Sequence, residues 1–110
     1  MIARLWHGRV RREDAAKYHD VVAATGLEDY GASAGIHGIY YLQRHEGDVT
    51  HVVTLTFWDS WDAIRAFAGE DVERAKYYPE DDAYLLEKEP TVVHYEVVDA
   101  LLREGGGPRP

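Results

Sequence analysis

The sequence predicts an α+β fold in which helices cover one face of a four-stranded antiparallel sheet. Three observations carry the prediction. They are a segment whose hydrophobic period changes from that of a strand to that of a helix, a glycine turn between two alternating segments, and an apolar stripe at helical spacing near the N-terminus. The chain has 110 residues, which is enough for one domain with one core.

The hydrophobic period changes within Val53–Gly69. Alternation as far as Trp58 predicts a strand, whose apolar side is expected to lie under the helix that follows. Asp59 and Ser60 are favourable N-cap residues, and Gly69 predicts the end of the helix. The apolar side of this strand is Val53, Leu55 and Phe57.

The other elements follow from the same two periods and from turn residues. Strands are predicted over Ile2–Val10, Ile36–Arg44 and Thr91–Val98. Helices are predicted over Glu13–Gly26 and from Asp71, and a turn or helix from Pro79. Leu27–Gly35 is expected to be an irregular connection, and Glu46-Gly47-Asp48 a tight hairpin turn, because glycine accepts a positive φ. Residues 1–98 then form the domain, and residues 99–110 are expected to be a flexible tail.

The resulting order, βαββαβ, is the split βαβ pattern of ferredoxin-like folds. Helices cover one face of such a sheet, and the other face is expected to carry too much apolar surface to remain exposed. The apolar residues expected on this second face are Trp6, Ile39, Tyr41, Val92 and Val98, and the polar ones are Arg4, Thr54, Thr56, His94 and Glu96. We therefore expect a homodimer formed through the helix-free face.

Composition disfavours several classes of function. The formal charge of −8 argues against nucleic acid or an anionic membrane as a partner. The chain has no cysteine, which excludes disulfides and thiolate chemistry, and its six histidines show no metal-binding spacing, so no metal is expected. No signal peptide or membrane span is indicated, so a cytoplasmic protein is expected. The excess of 8 Tyr and 3 Trp over 2 Phe favours a pocket or interface that also donates hydrogen bonds.

Three segments carry a resemblance to a known family: Ile2–Trp6, Phe57–Asp71 and His94–Val97. They are similar to the antibiotic biosynthesis monooxygenase-type family, and the resemblance extends over about residues 1–98. It implies a dimeric α/β barrel with a substrate cavity between the sheet and the helices of each subunit. The activities it implies include oxidation of polycyclic aromatic polyketides without metal or flavin, and haem degradation.

The haem-degrading branch of the family uses an Asn on the first strand, a Trp on the second helix and a His after it. These positions fall on His7, on Phe67 and on Lys76 or Tyr77, so none of the three residue types is retained. The comparison therefore disfavours haem degradation, although His7 offers another iron ligand. No cofactor is expected.

Three residues are candidates for catalysis. His7 alternates with Ala3 and Leu5 and is expected to face the helices and the cavity as a general base, with a structural histidine as the alternative. Tyr77, near the expected cavity mouth, either orients the substrate or only packs. His94, beside Glu96, is either a carboxylate-oriented base or half of a polar pair at the dimer interface.

The aromatic residues expected to bind substrate are Tyr18, Trp58, Phe67, Tyr78 and Tyr95, with core packing as the alternative for several of them. The acidic run 80–82 is expected to be a solvated helix start. The leading hypothesis is a cofactor-independent monooxygenase that removes a proton from a planar aromatic or polyketide-like molecule, so that the anion reacts directly with oxygen. The alternative is a non-catalytic dimeric protein that binds a small molecule or is associated with stress.

Overall fold

The structure is a computed structural model and describes residues 1–103. The strands are β1 (Ile2–Arg11), β2 (Ile36–Glu46), β3 (Val49–Trp58) and β4 (Val93–Glu96). The helices are α1 (Ala15–Ala24), α2 (Gly26–Gly31) and α3 (Trp61–Ala68), and short 3-10 turns span Arg12–Asp14 and Pro79–Ala83. Of the tail expected at 99–110, residues 104–110 lie outside the described part of the chain.

The four strands form one antiparallel sheet in the order β2-β3-β1-β4. This order places β1 in the centre, where Leu5 lies opposite Leu55 of β3 and Val93 of β4. The prediction of a ferredoxin-like α+β fold is confirmed, since β3 lies between β1 and β2 as the split βαβ pattern requires. No helix within residues 1–103 has the length and apolar character needed to cross a membrane.

The turn and cap predicted around the hairpin and α3 are confirmed. Gly47 has a φ of 57° in the turn that joins β2 to β3. The Ser60 hydroxyl accepts a hydrogen bond from the backbone N of Ala63 at 3.1 Å, and α3 ends at Gly69 with a φ of 96°. The sequence therefore set the position of α3 by local signals alone.

Two predicted segments differ in the structure. Leu27–Gly35 is not wholly irregular, because α2 begins at Gly26 and runs into it. No helix begins at Asp71. Residues 73–75 pair with residues 90–92 instead, through a bridge between Arg74 and Thr91 and two flanking backbone hydrogen bonds. This long-range pairing satisfies the backbone N–H and C=O groups of the segment. A short helix is marginally stable by itself, so the segment forms the pairing instead.

The two faces of the sheet are reversed relative to the prediction. On β1 the even-numbered residues lie under the helices, so Arg4 and Trp6 are buried there, whereas His7 points to the uncovered side. On β3 the covered positions include Thr54 and Thr56, which are buried. The predicted alternation along the strands is correct, but the side that the helices cover is the opposite of the predicted one.

Hydrogen bonds explain why threonines occupy the covered face of β3. The Thr56 hydroxyl donates to the backbone O of Arg4 at 3.3 Å and accepts from Trp58 Nε1 at 2.8 Å. The Thr54 hydroxyl lies 3.4 Å from that of Tyr30 on α2. Buried hydroxyls with partners carry little desolvation penalty, so they fit under the helices as well as apolar side chains do.

The uncovered face is nonetheless apolar, as predicted, but with different residues. Tyr40, Leu42, Val93 and Tyr95 are between 43 and 59% exposed. The half-buried residues that complete the central strands of this face are Leu5, Val53, Leu55 and Phe57. We call this set the open face.

Candidate functional site

An aromatic-walled cleft lies between the covered face of the sheet, α1, the start of α2, and the segment that contains the 3-10 turn Pro79–Ala83. It encloses about 430 Å³ of empty space that is partly open to solvent, of which the cavity proper is about 40 Å³. Its lining residues are Arg4, Trp6, Tyr18, Val22, Thr25, Gly26, Tyr30, Thr54, Lys76, Tyr78, Asp81 and Val92. Aromatic walls with a few convergent polar groups are typical of small-molecule sites.

A buried phenol and carboxylate meet in this cleft. The hydroxyl of Tyr18 on α1 donates to Asp81 Oδ1 at 3.0 Å, and the other carboxylate oxygen accepts from the backbone N of Tyr78 at 2.8 Å. Tyr18 is 1% exposed and Asp81 is 4% exposed. Burial, and then the negative charge of Asp81, raise the pKa of Tyr18 far above its ordinary value, so its hydroxyl stays protonated. Asp81 is therefore a buried carboxylate whose two oxygens each accept a hydrogen bond.

A polar contact closes the mouth of the cleft. Asp29 on α2 accepts hydrogen bonds from the Tyr78 hydroxyl and from Lys76 Nζ, the latter at 2.7 Å. The hydrogen bond from Lys76, and then that from Tyr78, lower the pKa of Asp29, while burial raises the pKa of Tyr78. Because Lys76 and Tyr78 also line the cleft, their release from Asp29 would widen it.

Arg4 lies on the sheet side of the cleft and is 1% exposed. Its guanidinium donates to the backbone oxygens of Val72 at 2.6 Å and Arg74 at 3.2 Å. Burial lowers the pKa of Arg4, and the nearby Tyr30 phenol partly offsets this. The group still remains charged, because an arginine does not lose its proton in proteins.

The expectation that His7 faces the cavity is wrong. His7 lies on the open face, where Nδ1 is 2.5 Å from Glu89 Oε2 and Nε2 is 2.9 Å from His51 Nδ1. His51 in turn contacts Glu46 at 3.1 Å. Tyr95 also lies on the open face, opposite Ala3 on β1. The sheet separates both residues from the cleft, so His7 cannot act as a general base on a molecule bound there.

Four aromatic residues predicted to bind substrate lie on the helix side of the sheet, but only two of them line the cleft. Tyr18 and Tyr78 do so. Phe67 lies behind the wall, stacked on Tyr30 with ring centroids 4.6 Å apart. Trp58 is fully buried in the neighbouring part of the core.

Tyr77 and His94 are held outside the cleft. The Tyr77 hydroxyl donates to the backbone O of Glu89 and accepts from Trp6 Nε1 at 3.2 Å, so it anchors the segment after α3. His94 lies opposite Arg4 on the covered face and borders a separate groove beside Trp61. Burial, and then the charge of Arg4, lower the pKa of His94 and favour its neutral form.

Sequence reasoning missed Arg4 and Asp81 as site residues. Asp81 was taken for part of a solvated acidic run, but it comes three residues after Tyr78, with Pro79 between them, which is the spacing of an N-terminal cap. That spacing could have identified Asp81 as a residue that binds the backbone at the start of the turn. Arg4 was placed on the interface face, and only the covered side of the sheet identifies it as a buried cation.

No protein-family model matches the chain. No curated protein sequence matches it either. Three solved structures with similar folds each align over 94% of this chain. One is a mutant of MhuD with two manganese protoporphyrin IX molecules bound per active site, with 16% identity, a TM-score of 0.59 and 100% of that chain covered. The second is a protein of unknown function from Nitrosomonas europaea, with 16% identity, a TM-score of 0.63 and 95% of that chain covered.

The third is a monooxygenase from the gene ActVA-Orf6 of Streptomyces coelicolor in complex with nanaomycin D, with 20% identity, a TM-score of 0.59 and 91% of that chain covered. The chain shares its ferredoxin-like α+β fold with these three structures. At these identities the likeness extends to the fold, and this fold hosts both porphyrin-binding and oxygenase proteins.

The described residues of the cleft do not suit a histidine-ligated haem. No histidine is among the residues that line it. Of its three phenols, Tyr18 and Tyr78 are each hydrogen-bonded to a carboxylate, and the hydroxyl of Tyr30 lies 3.4 Å from that of Thr54. A porphyrin would have to separate Tyr78 and Lys76 from Asp29 before it could enter, and would find no imidazole there for its iron.

Proposed function

We propose that the protein is a cofactor-independent monooxygenase that acts on a planar aromatic or polyketide-like molecule bound in the cleft. The observation that carries the proposal is the buried pair of Tyr18 and Asp81, 3.0 Å apart on a wall that also contains Trp6 and Tyr30. It places a proton acceptor, held in position by two hydrogen bonds, inside an aromatic site. The likeness in fold to a monooxygenase from Streptomyces coelicolor supports the same class of reaction.

In this mechanism Asp81 takes a proton from a ring carbon that carries two hydrogens and is activated by an adjacent aromatic ketone. The resulting anion transfers electrons to O2, and a carbon–oxygen bond forms to give a peroxide. The proton returns from Asp81 to the peroxide, which then loses water. One oxygen atom remains in the new carbonyl group and the other leaves in the water, so the CH2 group and O2 become C=O and H2O.

Entry of such a substrate requires the mouth of the cleft to open. The cavity of about 40 Å³ is too small for fused rings while Tyr78 and Lys76 are bound to Asp29. Both side chains are partly exposed at the surface, so the movement requires no repacking of the core. Closure over the substrate would then exclude bulk water during the reaction.

The active form is proposed to be a homodimer that buries the open face. The contact would remove Tyr40, Leu42, Val93 and Tyr95 from water, and an apolar surface of this kind is otherwise typical of an interface. The cleft lies on the other side of the sheet, so each subunit would keep its own site. Sedimentation equilibrium at micromolar concentration tests this, and a monomer mass contradicts it.

Turnover of anthrone is the direct test of the function. Oxygen uptake is measured with an electrode, and ¹⁸O2 is used so that mass spectrometry shows whether the product ketone contains one labelled oxygen. We expect labelled anthraquinone and one molecule of O2 consumed per molecule of product, above the rate without protein. The absence of enzyme-dependent uptake with anthrone and with hydroxylated anthrones would overturn the proposal.

The second candidate is a protein that binds a small molecule without converting it. The closed mouth of the cleft favours it, because Asp29, Lys76 and Tyr78 already satisfy one another. Tryptophan fluorescence detects binding through Trp6 in the wall of the cleft. Saturable quenching by anthraquinone under argon and in air, with no product from anthrone, would favour this function over the monooxygenase.

A further inference from the structure

Arg4 is a buried cation without an anionic partner. None of the ion pairs within residues 1–103 includes it. Its two terminal nitrogens donate to backbone oxygens, and its Nε has no hydrogen-bond partner among the described residues. A buried charge of this kind is costly unless an opposite charge and hydrogen bonds compensate for it.

The groups around Arg4 do not supply the missing negative charge. The Tyr30 phenol beside it is neutral, because burial raises the pKa of that hydroxyl. His94 is 3.4 Å from Nη1 and is also favoured in its neutral form. The carboxylate of Asp81 lines the same cleft but accepts its hydrogen bonds from Tyr18 and the backbone of Tyr78.

Arg4 is also one of the residues that form the wall of the cleft. A molecule that enters the cleft therefore meets an arginine whose position is fixed by the backbone at Val72 and Arg74 and whose Nε still has a hydrogen to donate. Hydrogen bonds to a charged group are about twice as strong as those between neutral groups. The wall of the cleft therefore includes a residue with a fixed positive charge and a buried, unused hydrogen-bond donor.

We propose that the cleft selects a flat aromatic acid, and that Arg4 is the specificity residue that receives its ionised oxygen. This rests on the proposed function, since it names the chemical class of the ligand for the same cleft. The aromatic rings lie between Trp6, Tyr18 and Tyr30, and the acidic group points to the sheet. In the oxygenation reaction the same cation stabilises the negative charge that develops on the substrate.

The test compares 2-naphthoate with its neutral counterpart 2-naphthamide, by titration calorimetry and tryptophan fluorescence on the full chain. We expect the wild type to bind the acid more tightly by about tenfold to 100-fold, the worth of one hydrogen bond to a charged group. Arg4→Met, similar in length but uncharged, should bind the two ligands equally. Arg9→Met is the matched control, because Arg9 lies on the same strand but faces the other side, paired with Glu87.

The outcomes separate this inference from the proposed function. If the wild type binds the acid and the amide equally, Arg4 is not an anion receptor, while an aromatic site remains. If neither ligand binds, both the inference and the proposed cleft fail. The comparison of the two ligands on the wild type requires no variant, so it decides the question even if Arg4→Met does not fold.

Discussion

The hydroxyl of Tyr18 and the carboxylate of Asp81 form a buried hydrogen bond of 3.0 Å across 63 positions of sequence. It joins α1 to the 3-10 turn Pro79–Ala83 and so fixes the segment that closes the cleft. The same carboxylate holds the backbone of Tyr78, the residue at the mouth. One acidic side chain therefore serves both the shape of the site and the proton transfer proposed there.

The first prediction concerns the proposed base. Asp81→Asn keeps the size of the side chain and one acceptor oxygen, which serves either Tyr18 or the backbone of Tyr78, and it removes the carboxylate. We expect anthrone turnover to fall by about 100-fold or more, the usual contribution of a positioned general base. Asp82→Asn is the control, because Asp82 forms a surface ion pair with Lys88. Equal turnover by the wild type and Asp81→Asn would remove Asp81 from the mechanism.

The second prediction concerns stability. Tyr18→Phe removes a hydrogen bond from the buried carboxylate of Asp81 and should lower the free energy of unfolding by about 1–3 kcal/mol. Urea unfolding followed by circular dichroism measures this change. Tyr84→Phe is a suitable control, since its ring packs beside that of Tyr18 at a centroid distance of 5.9 Å. An equal or larger loss in the control would show that the effect does not come from the hydrogen bond to Asp81.

The third prediction concerns pH. Hydrogen bonds from Lys76 and Tyr78 hold the folded pKa of Asp29 below its usual 3.8. The stabilisation from this carboxylate is therefore complete above the unfolded value and is lost as the pH falls through the folded pKa. Urea midpoints measured from pH 7 to pH 2 should show a smaller acid-induced decrease in Asp29→Asn than in the wild type. Glu28→Gln, the neighbouring acid, should keep the wild-type profile.

The fourth prediction concerns the close packing of Trp6 over β1. A Cβ at Gly8 would lie 2.5 Å from Trp6 Cη2 and 3.0 Å from Leu85 Cδ2. Gly8→Ala should therefore destabilise the fold by about 1–3 kcal/mol, as overpacking of a core does, and lower the melting temperature. Gly31→Ala is the matched control, because a Cβ there meets no atom within 4 Å. A melting temperature unchanged by Gly8→Ala would mean that the indole moves without cost.

The fifth prediction concerns the open face. Leu42→Glu places a charge on a residue that is 44% exposed and should shift the sedimentation equilibrium from dimer to monomer. Ala23→Glu adds the same charge to the exposed side of α1, on the opposite layer, and should leave the dimer intact. If both variants keep the dimer mass, the subunits associate through another surface.

The sequence predicted those elements whose ends are set by interactions between residues a few positions apart. Ser60 and Gly69 bound α3, and Gly47 forms the hairpin turn. The site was less predictable because its parts come together only by tertiary contact. Tyr18 and Tyr78 were identified from their aromatic character and position, but Asp81 resembles any other acid in a charged run until the fold buries it.

The sequence by itself determined that this chain forms a ferredoxin-like sheet, because the alternation of side chains and the turn residues act over a few positions. Only the tertiary structure decided which side of the sheet the helices cover. Val53 and Leu55 on one side of β3 and Thr54 and Thr56 on the other fit either environment, since a buried threonine with a hydrogen-bond partner carries little penalty. That choice placed Arg4 in the cleft and His7 outside it, and the candidate chemistry follows from it.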